Sequence, residues 1–270
     1  TEPTPLEIEL FGKRLRADRV IRRNGRSGAG AEENYVSAMR CLYRRAVDSG
    51  YLTQAENPAA KVAKPRRQAS TRRALPDARL AEINQVAAST GNDPALDTLL
   101  LRLHTETACR RGGALHLRRI DLDPKQCLVR LREKGGTQRW QPVSPTLMGY
   151  LLAHWDERGD GNPKSTGQLL RYYHRRPITY RRYDGLWVRI GEHLPWVATQ
   201  GITAHWLRHT IITWVERTFG YAVARAFAGH SDTGGDVGST ATYIKADLGE
   251  IAAAVAALTG EPHPLAQQDQ

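Results

Sequence analysis

Apolar residues recur at three- and four-residue spacing over 31–52, where Tyr35, Met39, Leu42, Tyr43, Ala46 and Val47 share one face and Gly50 supplies a stop. The pattern predicts an amphipathic helix, with Arg40, Arg44 and Arg45 on its polar side. The preceding stretch LEIELFGKRLRADRVI predicts a second helix. The apolar period then disappears. Residues 57–76, NPAAKVAKPRRQASTRRALP, are rich in Pro, Ala, Ser and Arg and read as the best linker candidate.

Beyond that point the helical pattern returns. PDARLAEINQVAAS and PALDTLLLRLHTETA both begin with Pro, which is tolerated in a first helical turn. QCLVRLREKGGTQRWQPVS is different: two short alternating runs flank KGG, the signature of a β-hairpin with Lys134 just before its turn. PTLMGYLLAHWDERG and ITYRRYDGLWVRIGEHL are helical again, and DLGEIAAAVAALTG predicts an Ala-rich apolar helix near the end. The expected class is mainly α with a small β-sheet. The expected organisation is a helical domain over residues 1–66, a linker over 67–75 and a larger α+β domain over 76–270.

Charge changes this picture. The chain has 270 residues and a formal net charge of +11. Residues 1–73 hold sixteen Lys and Arg against eight Asp and Glu, a net +8, so most of the excess sits in the first quarter. A clustered basic excess is the footprint of a polyanion partner, most often nucleic acid. No apolar run approaches the roughly 18 residues of a membrane span. The first residues carry no signal-peptide pattern, and three widely spaced cysteines (Cys41, Cys109, Cys127) point to a reducing compartment.

The densest chemistry lies in TAHWLRHTIITWVERTFG, 203–220. Thr203 is a candidate N-cap, which puts His205 and Arg208 in the first turns, three apart and on one side. Leu207, Ile211, Trp214, Val215 and Thr218 form the expected buried stripe. A helix start adds free N–H groups and partial positive charge, so the local geometry favours a phosphate. A histidine satisfied within the fold beside a surface arginine is the plainer alternative. Zinc held by His205 and His209 is a third, with no further ligand at the spacing that zinc helices use.

Other segments add to the set in a fixed order. Thr107-Ala108-Cys109-Arg110 is followed by the hairpin Lys134, then His205-Trp206-Leu207-Arg208 with His209, then Gly229-His230, then Thr240-Ala241-Thr242-Tyr243. This series resembles the boxes of the tyrosine recombinase, or phage integrase, family, which shares its chemistry with type IB topoisomerases. The resemblance covers roughly residues 30–250. It implies a helical core DNA-binding domain joined to a catalytic domain, and a site made of Arg110, Lys134, His205, Arg208, His230 and Tyr243. Tyr243 would attack the scissile phosphorus and form a 3′-phosphotyrosyl link. Arg110 and Arg208 would hold the non-bridging oxygens, His205 would take the tyrosine proton, His230 would bond a phosphate oxygen, and Lys134 would protonate the leaving 5′ oxygen. His209 packs behind them in this reading. Two departures stand out: Gly113 occupies a place where the family usually has an acidic residue, with Asp121 or Asp123 as substitutes, and 13 positions separate His230 from Tyr243.

No metal, ATP or other cofactor is expected. The implied partner is double-stranded DNA bearing specific recombination sites, bound by a homotetramer on two synapsed duplexes. The implied setting is the cytoplasm, nucleoid-associated, in a bacterial or phage-encoded mobile element, with no membrane. The final apolar helix has two expected docking sites: a neighbouring protomer, as in the family, or its own domain. Two rivals remain at this level. A non-catalytic DNA-binding regulator would use the helix–Gly220–helix pattern, and a topoisomerase-like enzyme would relax DNA without exchanging strands.

Overall fold

The computed structural model describes residues 3–18, 28–65, 73–132, 136, 138–229 and 247–267. These divide into two compact units, one of Thr1–Thr71 with Thr199–Gly201 and one of Arg72–Ala198 with Ile202–Gln270.

The first unit is helical. Helix α1 (Pro5–Ala17) opens with a capping box: Thr4 Oγ1 accepts from the Glu7 amide at 3.2 Å, and Glu7 accepts from the Thr4 amide at 2.7 Å. Helix α2 spans Ala29–Asp48 and stops before Gly50, whose φ of 76° suits the expected stop. The buried set is Ile8, Val36, Tyr43, Ala59 and Val62. Two expectations shift here. Leu42 is exposed, because the inward stripe of α2 runs through Glu32, Val36 and Tyr43. Residues 58–62 are not part of a linker: a short 3₁₀ turn, Pro58–Lys61, buries Pro58 and Ala59, and Arg40 Nε donates to the Ala59 carbonyl at 3.3 Å.

The second unit contains the rest. Its elements are α3 (Asp77–Ser89), α4 (Pro94–Thr107), α5 (Arg111–Leu115), β1 (Leu122–Asp123), β2 (Leu128–Arg132), β3 (Gln138–Pro142), α6 (Pro145–Arg158), α7 (Tyr180–His193), α8 (Pro195–Gln200, of which this unit holds the part up to Ala198), α9 (Ala204–Phe227) and α10 (Leu248–Thr259). The strands form one antiparallel sheet in the order β1-β2-β3, with Leu131 opposite Arg139 and Arg130 opposite Trp140. Thus the class is mainly α with a small sheet.

Helix α4 is central, and its sequence shows why. Leu96, Leu99, Leu100, Leu101 and Leu103 are all buried, so it is apolar on nearly every side. Of its two buried acids, Glu106 is held by Arg102 and the Ser144 amide, and Asp97 is met at 2.7 Å by Arg182 Nε from α7 and also by Arg189. A buried ion pair adds little net stability, but losing one partner is costly. The pairing therefore fixes which face of α7 lies on α4.

Helix α10 begins with its own capping box, Asp247 with Glu250. Ile251, Ala254 and Val255 join Ala108, Ile211, Val215, Val223, Ala224 and Phe227 in one apolar cluster. Beyond it Glu261 accepts from Arg102 at 2.7 Å and from the Thr146 amide at 3.1 Å. Of the two docking sites open for this helix, the structure therefore has it on its own domain. No described helix is long and apolar enough to cross a membrane.

His154 on α6 gives this unit an acid-sensitive element. Its Nε2 accepts the Arg171 amide at 3.0 Å, so the ring is neutral. Burial, helped by the nearby Arg158 cation, lowers its pKa to about 4. In the unfolded chain the ring takes its proton near 6.5, so between those values the unfolded state binds more protons. Stability is then lost as pH falls from about 6.5 towards 4, by up to roughly 3 kcal/mol at about 1.36 kcal/mol per pKa unit. Urea unfolding across this range should show that loss, and His154→Gln should flatten it. An identical slope in the variant would assign the acid sensitivity to other groups.

Candidate active site

The site is built outward from the end of α4. The helix stops because Ala108 takes a left-handed conformation, φ 46°, while its amide still bonds the His104 carbonyl at 3.0 Å. Thr107 Oγ1 donates back to the Leu103 carbonyl at 2.6 Å and accepts from the Cys109 amide at 3.2 Å. His104 holds the far side of the turn, bonding the Cys109 carbonyl at 3.0 Å and the Tyr183 hydroxyl at 2.9 Å. Buried and bonded on both sides, the Thr107–Cys109 turn is a rigid platform. Arg110 follows it directly, half-buried, as the N-cap residue of α5.

The turn separates the two neighbouring arginines. Arg111 points out to α7, with its guanidinium 5.2 Å from the Tyr180 ring and 3.5 Å from Asp184. Arg110 keeps the position next to the platform.

Helix α9 reaches the same platform. Thr203 stands at the N-cap, though its side chain does not cap. His205 is exposed at the rim of the first turn, and Arg208, one turn deeper, is only 4% exposed. Arg208 donates to the Ala108 carbonyl through Nη1 and to the Ala228 carbonyl through Nη2 at 2.6 Å. Ala108 is the C-cap of α4 and Ala228 the C-cap of α9. Helix C-termini leave carbonyls unpaired and carry partial negative charge. A buried guanidinium between two such ends is thus stabilised by both. The buried stripe differs slightly from the expected one: Leu207, Ile211 and Val215 are inside, Trp214 is half-buried and Thr218 is exposed. Gly220, at φ 85° and ψ 172°, breaks the helix, which lets its second half turn Ala228 back towards Arg208.

The hairpin supplies a residue that sequence reasoning passed over. On β3 the inward positions are Arg139 and Gln141, and Trp140 faces outward at 37% exposure. Arg139 donates to Gln141 Oε1 and, through Nη2, to the Thr107 carbonyl at 3.2 Å. It also lies against Gly229, where an added Cβ would stand 2.6 Å from Arg139 Cδ. Arg139 therefore joins three of the segments that carry motif residues. Alternation within QRWQP does not mark it, since Trp140 holds the apolar phase; only the register, which sets Arg139 opposite Leu131, turns it inward.

Of the six site residues named from sequence, Arg110, His205 and Arg208 are described, and the structure brings the segments that carry them to one turn. Lys134, His230 and Tyr243 lie outside the described residues. His209, on the same helix, is half-buried. Asp121, one of the two acids considered as a support for the site arginines, is bonded instead by Arg118, Arg130 and Arg132. Asp123 closes a turn by accepting the Lys125 and Gln126 amides.

Comparison with known proteins gives a consistent result. The model of the phage integrase family matches residues 73–248. Tyrosine recombinase XerC of Chromobacterium violaceum is 27% identical over 202 residues, 73% of this chain. The chain spans 64% of that relative's length. Among solved structures, a lambda integrase (75–356) dimer bound to a COC′ core site has a TM-score of 0.62 at 18% identity, covering 87% of this chain and 82% of that one. The Tn1549 transposon integrase in complex with a circular intermediate DNA reaches 0.64 at 13% identity, covering 90% and 81%. At these identities the structural likeness concerns the fold.

The contact between Arg139 and Gly229 can be measured by itself. Gly229 sits at φ 63°. Gly229→Ala should destabilise the fold by about 1–3 kcal/mol from backbone strain, with the Arg139 clash added. In an Arg139→Ala background the clash disappears. Urea unfolding of the four proteins should give a coupling of about 0.5–3 kcal/mol, the double variant being less damaged than the sum. Strict additivity would mean that the two residues do not touch.

Proposed function

Because this chain belongs to the phage integrase family, the family of tyrosine recombinases, we propose that it is a site-specific recombinase that cuts and rejoins duplex DNA through a 3′-phosphotyrosyl intermediate. The observation that carries this reading is the convergence on Thr107–Ala108. Just ahead of Arg110, Ala108 is bonded by Arg208 from the helix that also bears His205, and Thr107 by Arg139 from the strand that leads out of the Lys134 hairpin; the segment before His230 joins them through Ala228 on Arg208 and Gly229 on Arg139.

The chemistry needs no external energy. The Tyr243 phenolic oxygen attacks phosphorus, the P–O5′ bond breaks, and the bond energy is kept in the new ester. A free tyrosine has a pKa near 10, so it needs a base, and His205 at the rim of α9 takes its proton. The departing 5′ oxygen takes a proton from Lys134. Arg110 and Arg208 face the non-bridging oxygens, and His230 adds a hydrogen bond. A planar guanidinium suits bidentate contact with phosphate. Negative charge grows on the phosphorane, and fixed cations stabilise that state more than the ground state. Attack by a partner strand's 5′-OH reverses the steps and completes exchange. Neither a metal nor ATP takes part.

Exchange between two duplexes calls for four protomers, one per strand cut, and a homotetramer on synapsed DNA is part of the proposal. So are the helical core-binding domain over 1–66, the linker over 67–75 and the catalytic domain over 76–270. Such an enzyme acts beside the nucleoid, in the cytoplasm of the bacterial host of a mobile element.

Covalent trapping tests the reading. A library of nicked duplexes of randomised sequence, from which the short leaving piece with its new 5′-OH diffuses away, should yield protein–DNA adducts that survive denaturation and form in EDTA. Tyr243→Phe should give none while still binding DNA. Adducts with that variant would move the nucleophile elsewhere, and binding without any adduct from the unaltered protein would favour the regulator. Adducts that relax supercoiled DNA but never join two duplexes would favour the topoisomerase-like alternative.

A further inference from the structure

The sheet carries a second cluster of cations, on the face opposite Arg139. Along β2 the buried Val129 and Leu131 alternate with Arg130 and Arg132, which therefore point outward. Beneath them Asp121, at the end of the 3₁₀ turn Arg119–Asp121, is fully buried. Its carboxylate accepts from Arg118 Nε at 3.1 Å, from Arg130 Nε at 3.0 Å and from Arg132 through Nη2 at 2.6 Å and through Nη1. The Arg118 amide adds a bond at 3.2 Å. Arg130 also lies over Trp140, 5.4 Å from the ring centroid.

Burial alone would raise the Asp121 pKa, but the hydrogen bonds from Arg132, Arg118 and Arg130 outweigh it and hold the pKa below the usual value. The acid is therefore charged at neutral pH, and three guanidiniums around one carboxylate leave a net +2. Neutralising Asp121 would take one bidentate arginine. The two extra cations bring like-charge repulsion that the fold alone does not need. The three side chains remain 31%, 32% and 23% exposed, and each keeps N–H groups beyond those given to Asp121. Clamped at one point, they lose little side-chain entropy on meeting an anion.

We propose that Arg118, Arg130 and Arg132, splayed around Asp121 on the outer face of the sheet, form a second phosphate-binding surface that grips the DNA backbone beside the hairpin. This rests on the reading of the chain as a DNA-cutting enzyme. A two-stranded ribbon fits a DNA groove, and a ribbon with cations on both faces meets phosphate on both sides. The outer surface would contribute affinity and register, and the Thr107–Ala108 side would perform the chemistry.

Salt dependence of binding to a short duplex of arbitrary sequence tests this directly. Each lost phosphate contact should reduce the slope of log K against log salt by about 0.9. Arg130→Gln and Arg132→Gln should each lower the slope by that amount, and Arg130→Lys and Arg132→Lys should keep it. Unaltered slopes in glutamine variants that melt normally would overturn the inference and leave the proposed function standing. An unaltered protein with no salt-dependent affinity for DNA would overturn the proposed function first. Should the glutamine variants unfold, arginine modification by phenylglyoxal on the unaltered protein decides the matter. DNA should shield Arg118, Arg130 and Arg132, and equal modification with and without DNA would overturn the inference.

Discussion

The candidate site depends on one buried guanidinium. Arg208 lies between the C-terminal ends of α4 and α9 and bonds a carbonyl of each. Burying a cation is costly unless it is paired and hydrogen-bonded. Here two helix dipoles present their negative ends, and two orphan carbonyls accept its protons. The two helix ends stabilise the arginine, and the arginine fixes their distance from each other. The left-handed Ala108 and the kink at Gly220 follow from the same constraint, because each turns a chain end towards Arg208.

The hairpin is fitted to this centre by a second arginine. Arg139 occupies an inward strand position that an apolar residue would ordinarily fill, bonds Thr107 and packs on Gly229. Its presence accounts for Gln141, which shares its face and accepts one of its protons, and for the small residue at 229. The opposite face of the same sheet puts arginines around Asp121. In the proposed enzyme one thin sheet thus carries cations on both sides, one set turned to the site and one to the flanking DNA.

Much of this was legible in the sequence. The helices of the larger unit announce themselves through Pro in the first turn, a 3.6-residue apolar period and acidic caps, and α3, α4, α6, α7 and α10 lie where those signals put them. Spacing put His205 and Arg208 on one side of a helix start, which is where α9 has them, but it left their role open until the other motifs were set beside them. Other features depend on tertiary packing. Pro58 and Ala59 look like linker, yet they fill the space beside Val36 and Tyr43, and composition carries no record of that space. Alternation across β3 would turn Trp140 inward and Arg139 outward, and the reverse holds because the polar partners of Arg139 are on the inner side. Asp121 was noticed as an acid but attached to the wrong arginines, since only the sheet register brings Arg130 and Arg132 over it.

Arg208 is a planar bridge between two carbonyls as well as a positive charge. Arg208→Lys separates these properties: the ammonium keeps the charge but lacks the flat fork that spans the two carbonyls. Single-turnover cleavage of a nicked duplex by this variant, measured at saturating protein, reads the contribution of the bridge apart from that of the charge. Cleavage should fall by about 10²–10³-fold, the cost of losing one preorganised donor, with DNA affinity and its salt slope nearly unchanged. Cleavage at the unaltered rate would contradict a role for the bridge, because charge alone would then be sufficient at this position.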